Sequence, residues 1–236
     1  MRLLLVDLRD GDSLAYNFAY ENLRLGAVAS ALAASSFAYR YANLSQLRHM
    51  VTESAQPLVV IDAFFRVAAG VLKALKDVRA TNPTAQVLLF GRAAPTVAAT
   101  PELRDLVDFF EFVDEPSAVL RIVGAHAVPW TQVIPLRPSP LGWSERGVID
   151  VEATRGCQHR CTFCGVDSSG TGGRPALWRA RDPDIVAHEI RGLVDRTGIT
   201  RFQFVDDNFL GSPKDAKTWV RAFVDELALA NVKIQF

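Results

Sequence analysis

The chain has 236 residues, 49% of them hydrophobic, and its 26 basic and 26 acidic side chains leave a formal net charge of zero. That much apolar material fills one large core or two small ones, and the charge balance excludes the broad basic footprint of a nucleic-acid binder. The first apolar run, in MRLLLVD, is too short for a signal-peptide core, and no stretch approaches the roughly 20 apolar residues of a membrane helix, so a cytoplasmic protein with neither nucleic acid nor membrane as partner is expected.

In chain order, LLLVD (3–7) reads as a first strand and Leu25–Ala34 as an alanine-rich helix. Further strands are expected at Phe37–Tyr41, Leu58–Phe64, Val87–Phe90 and Phe109–Val113, with helices over Val67–Arg79 and Ser117–Val123 between them. Such alternation implies a parallel sheet, and the nearly continuous apolar runs suit strands covered on both faces. Gly26 opens a helix and Gly91 follows a strand, which puts both where backbone can approach a ligand at the carboxyl edge of the sheet; a simpler reading is that they only make turns.

From Val128 to Gly147 four prolines, Pro129, Pro135, Pro138 and Pro140, interrupt regular structure, and a linker or wrapping segment is expected there. VIDVEAT (148–154) alternates like a strand and runs into Arg155, Gly156 and Cys157. After the glycine-rich GTGGRP (170–175), Asp182 as cap and Pro183 in the first turn announce a helix that Gly198 ends. RFQFV (201–205) reads as a second strand and DDNF (206–209) as its outgoing loop. Ser212, Pro213 and Asp215 then have the spacing of a capping box, with Trp219, Val220, Phe223, Val224 and Leu227 as the apolar face of the helix they start, and VKIQF (232–236) reads as a third strand.

The three cysteines, Cys157, Cys161 and Cys164, all fall within one short loop. An odd, clustered set is a poor disulfide framework and points to a metal or redox group. The spacing C-x3-C-x2-C can turn three thiolates toward one centre, as an iron–sulfur cubane requires, and a four-iron cluster held by three protein thiolates keeps one iron open. Zinc bound by the three cysteines and His159 is the alternative, although structural zinc sites usually divide their ligands between two knuckles. A loop of thiols that binds nothing is the third reading.

With those residues in place, ATRGCQHRCTFCGV resembles the cluster loop of the radical S-adenosylmethionine enzymes, whose pattern C-x3-C-x-aromatic-C is met here with Phe163 at the aromatic position. The resemblance implies a 4Fe–4S cluster on Cys157, Cys161 and Cys164, S-adenosylmethionine chelating the open iron, Phe163 near its adenine, and a one-electron cleavage to methionine and a 5′-deoxyadenosyl radical. It also implies a small-molecule substrate and a reductant such as flavodoxin or ferredoxin. VDDNF (205–209) matches the place where that family receives the methionine amino group of the cofactor, and Asp206, Asp207 and Asn208 fit the role; a helix cap and solvated loop is the competing reading. WRARDPDIVAHEI (178–190) resembles the segment leading into the first barrel helix, where Arg179 and Arg181 can meet a carboxylate or phosphate. No catalytic side chain is assigned.

The N-terminal half is similar to the cobalamin-binding domain of the cobalamin-dependent subfamily, on LRLGAVASAL (23–32), LLFGRAAP (88–95) and FFEFVDEPSAVLRIV (109–123). Where histidine-on members carry D-x-H-x-x-G, this chain has Asp7, Arg9 and Gly11 in D-L-R-D-G, so cobalt could not be ligated in that manner; several members lack the histidine too. His49, His126, His159 and His188 are scattered. Methylthiotransferases share the arrangement but carry further cysteines in the first domain, which this chain lacks.

The expected architecture is thus α/β: an open parallel-sheet, Rossmann-like and cobalamin-binding-like domain over 1–127, a linker over 128–147, and the N-terminal part of a radical S-adenosylmethionine (β/α) barrel over 148–236. Three barrel strands are fewer than the roughly six units the family implies, so a fragment, a truncated relative or a barrel completed by another chain is expected, with the substrate-binding half missing. The expected reaction is cobalamin-dependent methylation or rearrangement of a small metabolite. The rivals are a zinc-stabilised interaction protein and a radical enzyme whose first domain only docks a partner.

Overall fold

The computed structural model describes residues 2–8, 22–63, 68–91, 94–112, 116–126, 128–137, 146–159, 161, 164, 178–211 and 213–236. The chain forms two compact units, one built by its first strand and Arg24–Pro129, the other by Trp130–Phe236.

In the first unit, strands β1 (Arg2–Asp7), β2 (Tyr39–Asn43), β3 (Pro57–Asp62), β4 (Gln86–Phe90) and β5 (Phe109–Glu111) form one sheet in the order β2-β1-β3-β4-β5. Every pairing is parallel, with Leu5 opposite both Tyr41 and Val60, and Val60 opposite Leu88. Helices α1 (Leu23–Ala34), α2 (Leu47–Thr52), α3 (Ala68–Thr81), α4 (Ala94–Ala99) and α5 (Pro101–Arg104) connect the strands, and α6 (Pro116–Ile122) follows the last of them.

Successive strand residues point to opposite faces, and the core divides accordingly. Leu3, Leu5, Leu58, Val60, Leu88 and Phe90 pack with Leu25, Val28 and Leu32 of α1 and Val119 and Leu120 of α6. Leu4, Val6, Val59, Ile61, Val87 and Leu89 pack with α2, α3 and α4 through Leu47, Val51, Val71, Leu75, Val78 and Val97. Both faces are covered, which is why β3 is apolar from Leu58 to Ile61 without alternation. The order of strands makes β1 and β3 the switch point of a doubly wound sheet, whose carboxyl edge is the customary ligand side.

In the second unit, β6 (Ile149–Val151) pairs parallel with β9 (Phe202–Phe204), and β7 (Thr154–Arg155) pairs antiparallel with β8 (Arg179–Ala180). Helix α7 (Pro183–Thr197) supplies the crossover between the parallel strands and α8 (Pro213–Leu229) follows β9. Ile149, Val151, Val186, Ile190, Leu193, Phe202, Trp219, Phe223 and Leu227 form their common core.

Several expectations are corrected here. VIDVEAT is two strands: after Val151 the main-chain amides of Ala153 and Thr154 turn to the Asp206 carboxylate, and the chain leaves the β9 ladder to pair with β8. Residues 232–236 contribute one parallel bridge, Arg201 to Gln235, with Phe202 N donating to Gln235 O at 2.8 Å. Asp182 occupies the N-cap of α7 but its side chain caps nothing; Pro183 and the left-handed Gly198, at φ 70°, bound the helix as expected. Val224 faces solvent, unlike Trp219, Phe223 and Leu227. The proline-rich segment contributes buried Trp130 and Val133 to the second unit. Phe163, residues 170–175, Ser212, Arg9 and Gly11 lie outside the described residues.

Candidate functional site at the cysteine loop

The cysteine loop leaves the carboxyl end of β6 by way of β7. Gly156 has φ 83°, a left-handed conformation that side-chain-bearing residues rarely adopt, and it turns the chain from Arg155 into Cys157. All three cysteines are free thiols; Cys157 and Cys164 are half-buried and Cys161 is exposed. Cys164 N donates to Cys161 O at 3.0 Å.

The second loop, 206–211, leaves the carboxyl end of the neighbouring parallel strand β9 and binds the first at six points. Asp206 Oδ1 accepts the amides of Ala153, at 3.0 Å, and Thr154. Asp207 Oδ2 accepts the amide of Gly156 at 3.0 Å. Asn208 Nδ2 donates to Cys157 Sγ at 3.6 Å, and its main-chain carbonyl accepts Thr154 Oγ1 at 3.2 Å. Gln158 Nε2 donates to Gly211 O at 2.9 Å. Trp178 braces the second loop from behind, donating Nε1 to Asn208 O at 2.8 Å. Gly211, at φ 55°, passes so close to that indole that a Cβ would stand 2.5 Å from Trp178 Cδ2.

The three polar residues expected to receive a cofactor thus spend their side chains on the cysteine loop itself. Burial, the largest cause, pushes the Asp206 carboxyl up to about 7; the charge of Glu152 acts in the same direction, while Thr154 and the two amides oppose it. Oδ1 is engaged, whereas Oδ2 is buried without a hydrogen-bond partner among the described residues, the natural seat for a proton.

Beneath the loop lies a charged layer. Arg155 is buried, donates to Glu152 Oε2 at 2.7 Å and stacks 4.3 Å over the ring of Trp130. Arg181, fully buried, donates to Glu152 O, Val133 O and Glu189 Oε2 at 2.9, 2.8 and 2.6 Å. Arg137 joins from the proline-rich segment, donating to Asp150 O at 2.8 Å and to Glu189 Oε1. The carboxylate that Arg181 was expected to meet therefore belongs to α7, and Arg179 is exposed. Sequence reasoning missed Glu189, Glu152, Gln158 and Trp178. Glu189 did carry a signal, since it sits among Val186, Ile190 and Leu193 on the apolar face of α7.

Gly26 and Gly91 belong to the first unit. Gly26 is buried in the first turn of α1. Gly91, at φ 101°, follows β4 so closely that a Cβ would stand 2.7 Å from Asp62 Oδ1 and 3.0 Å from Ala63 O, so the packing of the sheet edge alone requires glycine there.

Among the described residues, no three His, Cys, Asp or Glu side chains stand together as a metal site. The thiols are not a preformed cage. The donor set nevertheless suits an iron–sulfur cluster: three free thiols on one loop, the first already hydrogen-bonded at sulfur.

Fold and site together define an α/β protein with a thiol-bearing loop at the carboxyl edge of a parallel strand pair. No protein-family model matches the chain. Over 119 residues it is 29% identical to the anaerobic magnesium-protoporphyrin IX monomethyl ester cyclase of Synechocystis sp., a match that takes in 50% of this chain. The match covers 22% of that protein, so the chain spans under a quarter of its relative's length. No helix among the described residues is long and apolar enough to cross a membrane.

Proposed function

We propose that this chain is a radical S-adenosylmethionine protein, with a 4Fe–4S cluster held by Cys157, Cys161 and Cys164 and the cofactor bound at the open iron. The observation that carries the reading is the cysteine loop, C-x3-C-x-aromatic-C in sequence, seated at the carboxyl edge of β6 and held there by the loop after β9. The likeness to an enzyme whose name specifies anaerobic work agrees with an oxygen-labile cluster and supports the assignment to this superfamily.

When bound, the cluster would supply one electron to the sulfonium, releasing methionine and a 5′-deoxyadenosyl radical. The chain's own part is positional. Asp206 and Asp207 hold the backbone of Ala153, Thr154 and Gly156, Asn208 holds the sulfur of Cys157, and the Arg155–Glu152 pair fixes the strand beneath. Phe163 is assigned to the adenine, and Asp206, Asp207 and Asn208 to the border of the methionine subsite. The β6–α7–β9 unit is read as the start of a (β/α) barrel.

The first unit is read as a cobalamin-binding-like domain on its strand order, and Gly26 and Gly91 are assigned to the ligand's approach on that reading. On that reading the reaction is methylation or rearrangement of a small metabolite, fed by a flavodoxin or ferredoxin in a reducing compartment. The test is anaerobic: the reconstituted chain is incubated with S-adenosylmethionine and dithionite, and 5′-deoxyadenosine and methionine are quantified. Their equimolar formation, lost in Cys161→Ala, is expected; their absence from a cluster-loaded chain would refute reductive cleavage. Corrinoid titration with absorbance detection separately decides the role of the first unit.

A further inference from the structure

The side chain of Asn208 has its amide nitrogen at 3.6 Å from Cys157 Sγ, within reach of a hydrogen bond to sulfur. We propose that Asn208 is a positioning residue that raises the reduction potential of a cluster bound at the cysteine loop by donating its side-chain N–H to the sulfur of Cys157. This rests on the reading of the cysteine loop given above and adds to Asn208's place at the border of the methionine subsite a role toward the electron.

The contact is built rather than incidental. Asn208 is fixed at its main-chain carbonyl by two donors, Trp178 Nε1 and Thr154 Oγ1. The indole of Trp178 is in turn pressed against Gly211, where no side chain fits. From the opposite side, Gly156 is tied to Asp207, so the residues before Cys157 and Asn208 are bonded to each other as a pair. The backbone that carries the donor is thus anchored beside Cys157 whatever the charge on the sulfur. Reduction adds one negative charge to a cluster, and part of it resides on the sulfurs; a fixed N–H dipole aimed at one of them stabilises the reduced state more than the oxidised one.

The experiment compares anaerobically reconstituted full-length chain with Asn208→Leu, which keeps the volume and removes the donor. Iron and sulfide are counted first, and the cluster is then titrated potentiometrically with the reduced state read by electron paramagnetic resonance. The expected result is unchanged iron content with about a tenfold fall in the reduced-to-oxidised ratio at a fixed potential, equivalent to ~59 mV for one electron. An unaltered titration curve in Asn208→Leu overturns the proposal. A second measurement needs no variant: wild-type chain carrying 15N only in asparagine is reduced and examined by pulsed paramagnetic resonance. A 15N coupling to the cluster is expected, and its absence overturns the proposal even where Asn208→Leu fails to assemble. If wild-type chain takes up no iron and sulfide, it is the reading of the cysteine loop that fails.

Discussion

Asp206→Asn probes the junction of the two loops through its pH dependence. In the folded chain the Asp206 carboxyl is displaced from 3.8 to about 7, chiefly by burial. A carboxyl whose folded pKa is raised binds its proton more tightly in the native state, so it costs nothing below about pH 4, where both states are protonated. As pH rises toward about 7 the unfolded chain ionises first and native stability falls at ~1.4 kcal/mol per pH unit, for a total on the order of 4 kcal/mol above that point. Asparagine resembles the protonated acid, and its Oδ1 can still accept the amides of Ala153 and Thr154. The assay is urea unfolding of the metal-free chain by tryptophan fluorescence, which reports the second unit because all four tryptophans lie at or beyond Trp130. Asp206→Asn should gain on wild type by about 3 kcal/mol between about pH 4.5 and about pH 8, the other titrating groups cancelling in the difference. Parallel pH profiles for the two chains would refute the argument.

Glu189→Gln removes the buried carboxylate charge that Arg137 and Arg181 share; a loss of about 3–5 kcal/mol is expected in the same unfolding assay. Gly211→Ala forces a Cβ onto Trp178 at a left-handed φ and should cost about 2 kcal/mol, with a shift in tryptophan emission as the indole is displaced. Gly91→Ala should lower stability in the first unit by about 1–3 kcal/mol, seen as faster hydrogen exchange at Ala63 N, whose partner is Phe90 O.

Much of the first unit was legible because parallel strands covered on both faces leave an apolar run that needs no partner to be recognised, as at Leu58–Ile61. Boundaries moved by one or two residues, since pairing rather than propensity ends a strand: Tyr39–Asn43 follows the register of β1, not the aromatic Phe37. The break within VIDVEAT was invisible for the same reason. It depends on Asp206, more than fifty positions away, capturing two amides. The three cysteines announced themselves by clustering. The supports around them did not, because Gln158, Trp178 and Gly211 meet only after β9 has paired with β6. Asp207 and Asn208 were expected at the site from their place after β9, but the partners of their side chains, Gly156 N and Cys157 Sγ, emerge only from the fold.

The most direct test of the account is the metal content of the full-length chain after anaerobic reconstitution with iron and sulfide, paired with paramagnetic resonance of the reduced protein before and after S-adenosylmethionine is added. About four iron and four sulfide per chain are predicted, with a signal that the cofactor alters and that Cys157→Ala abolishes. Stoichiometric zinc in place of iron, or a cluster whose signal ignores S-adenosylmethionine, would contradict it.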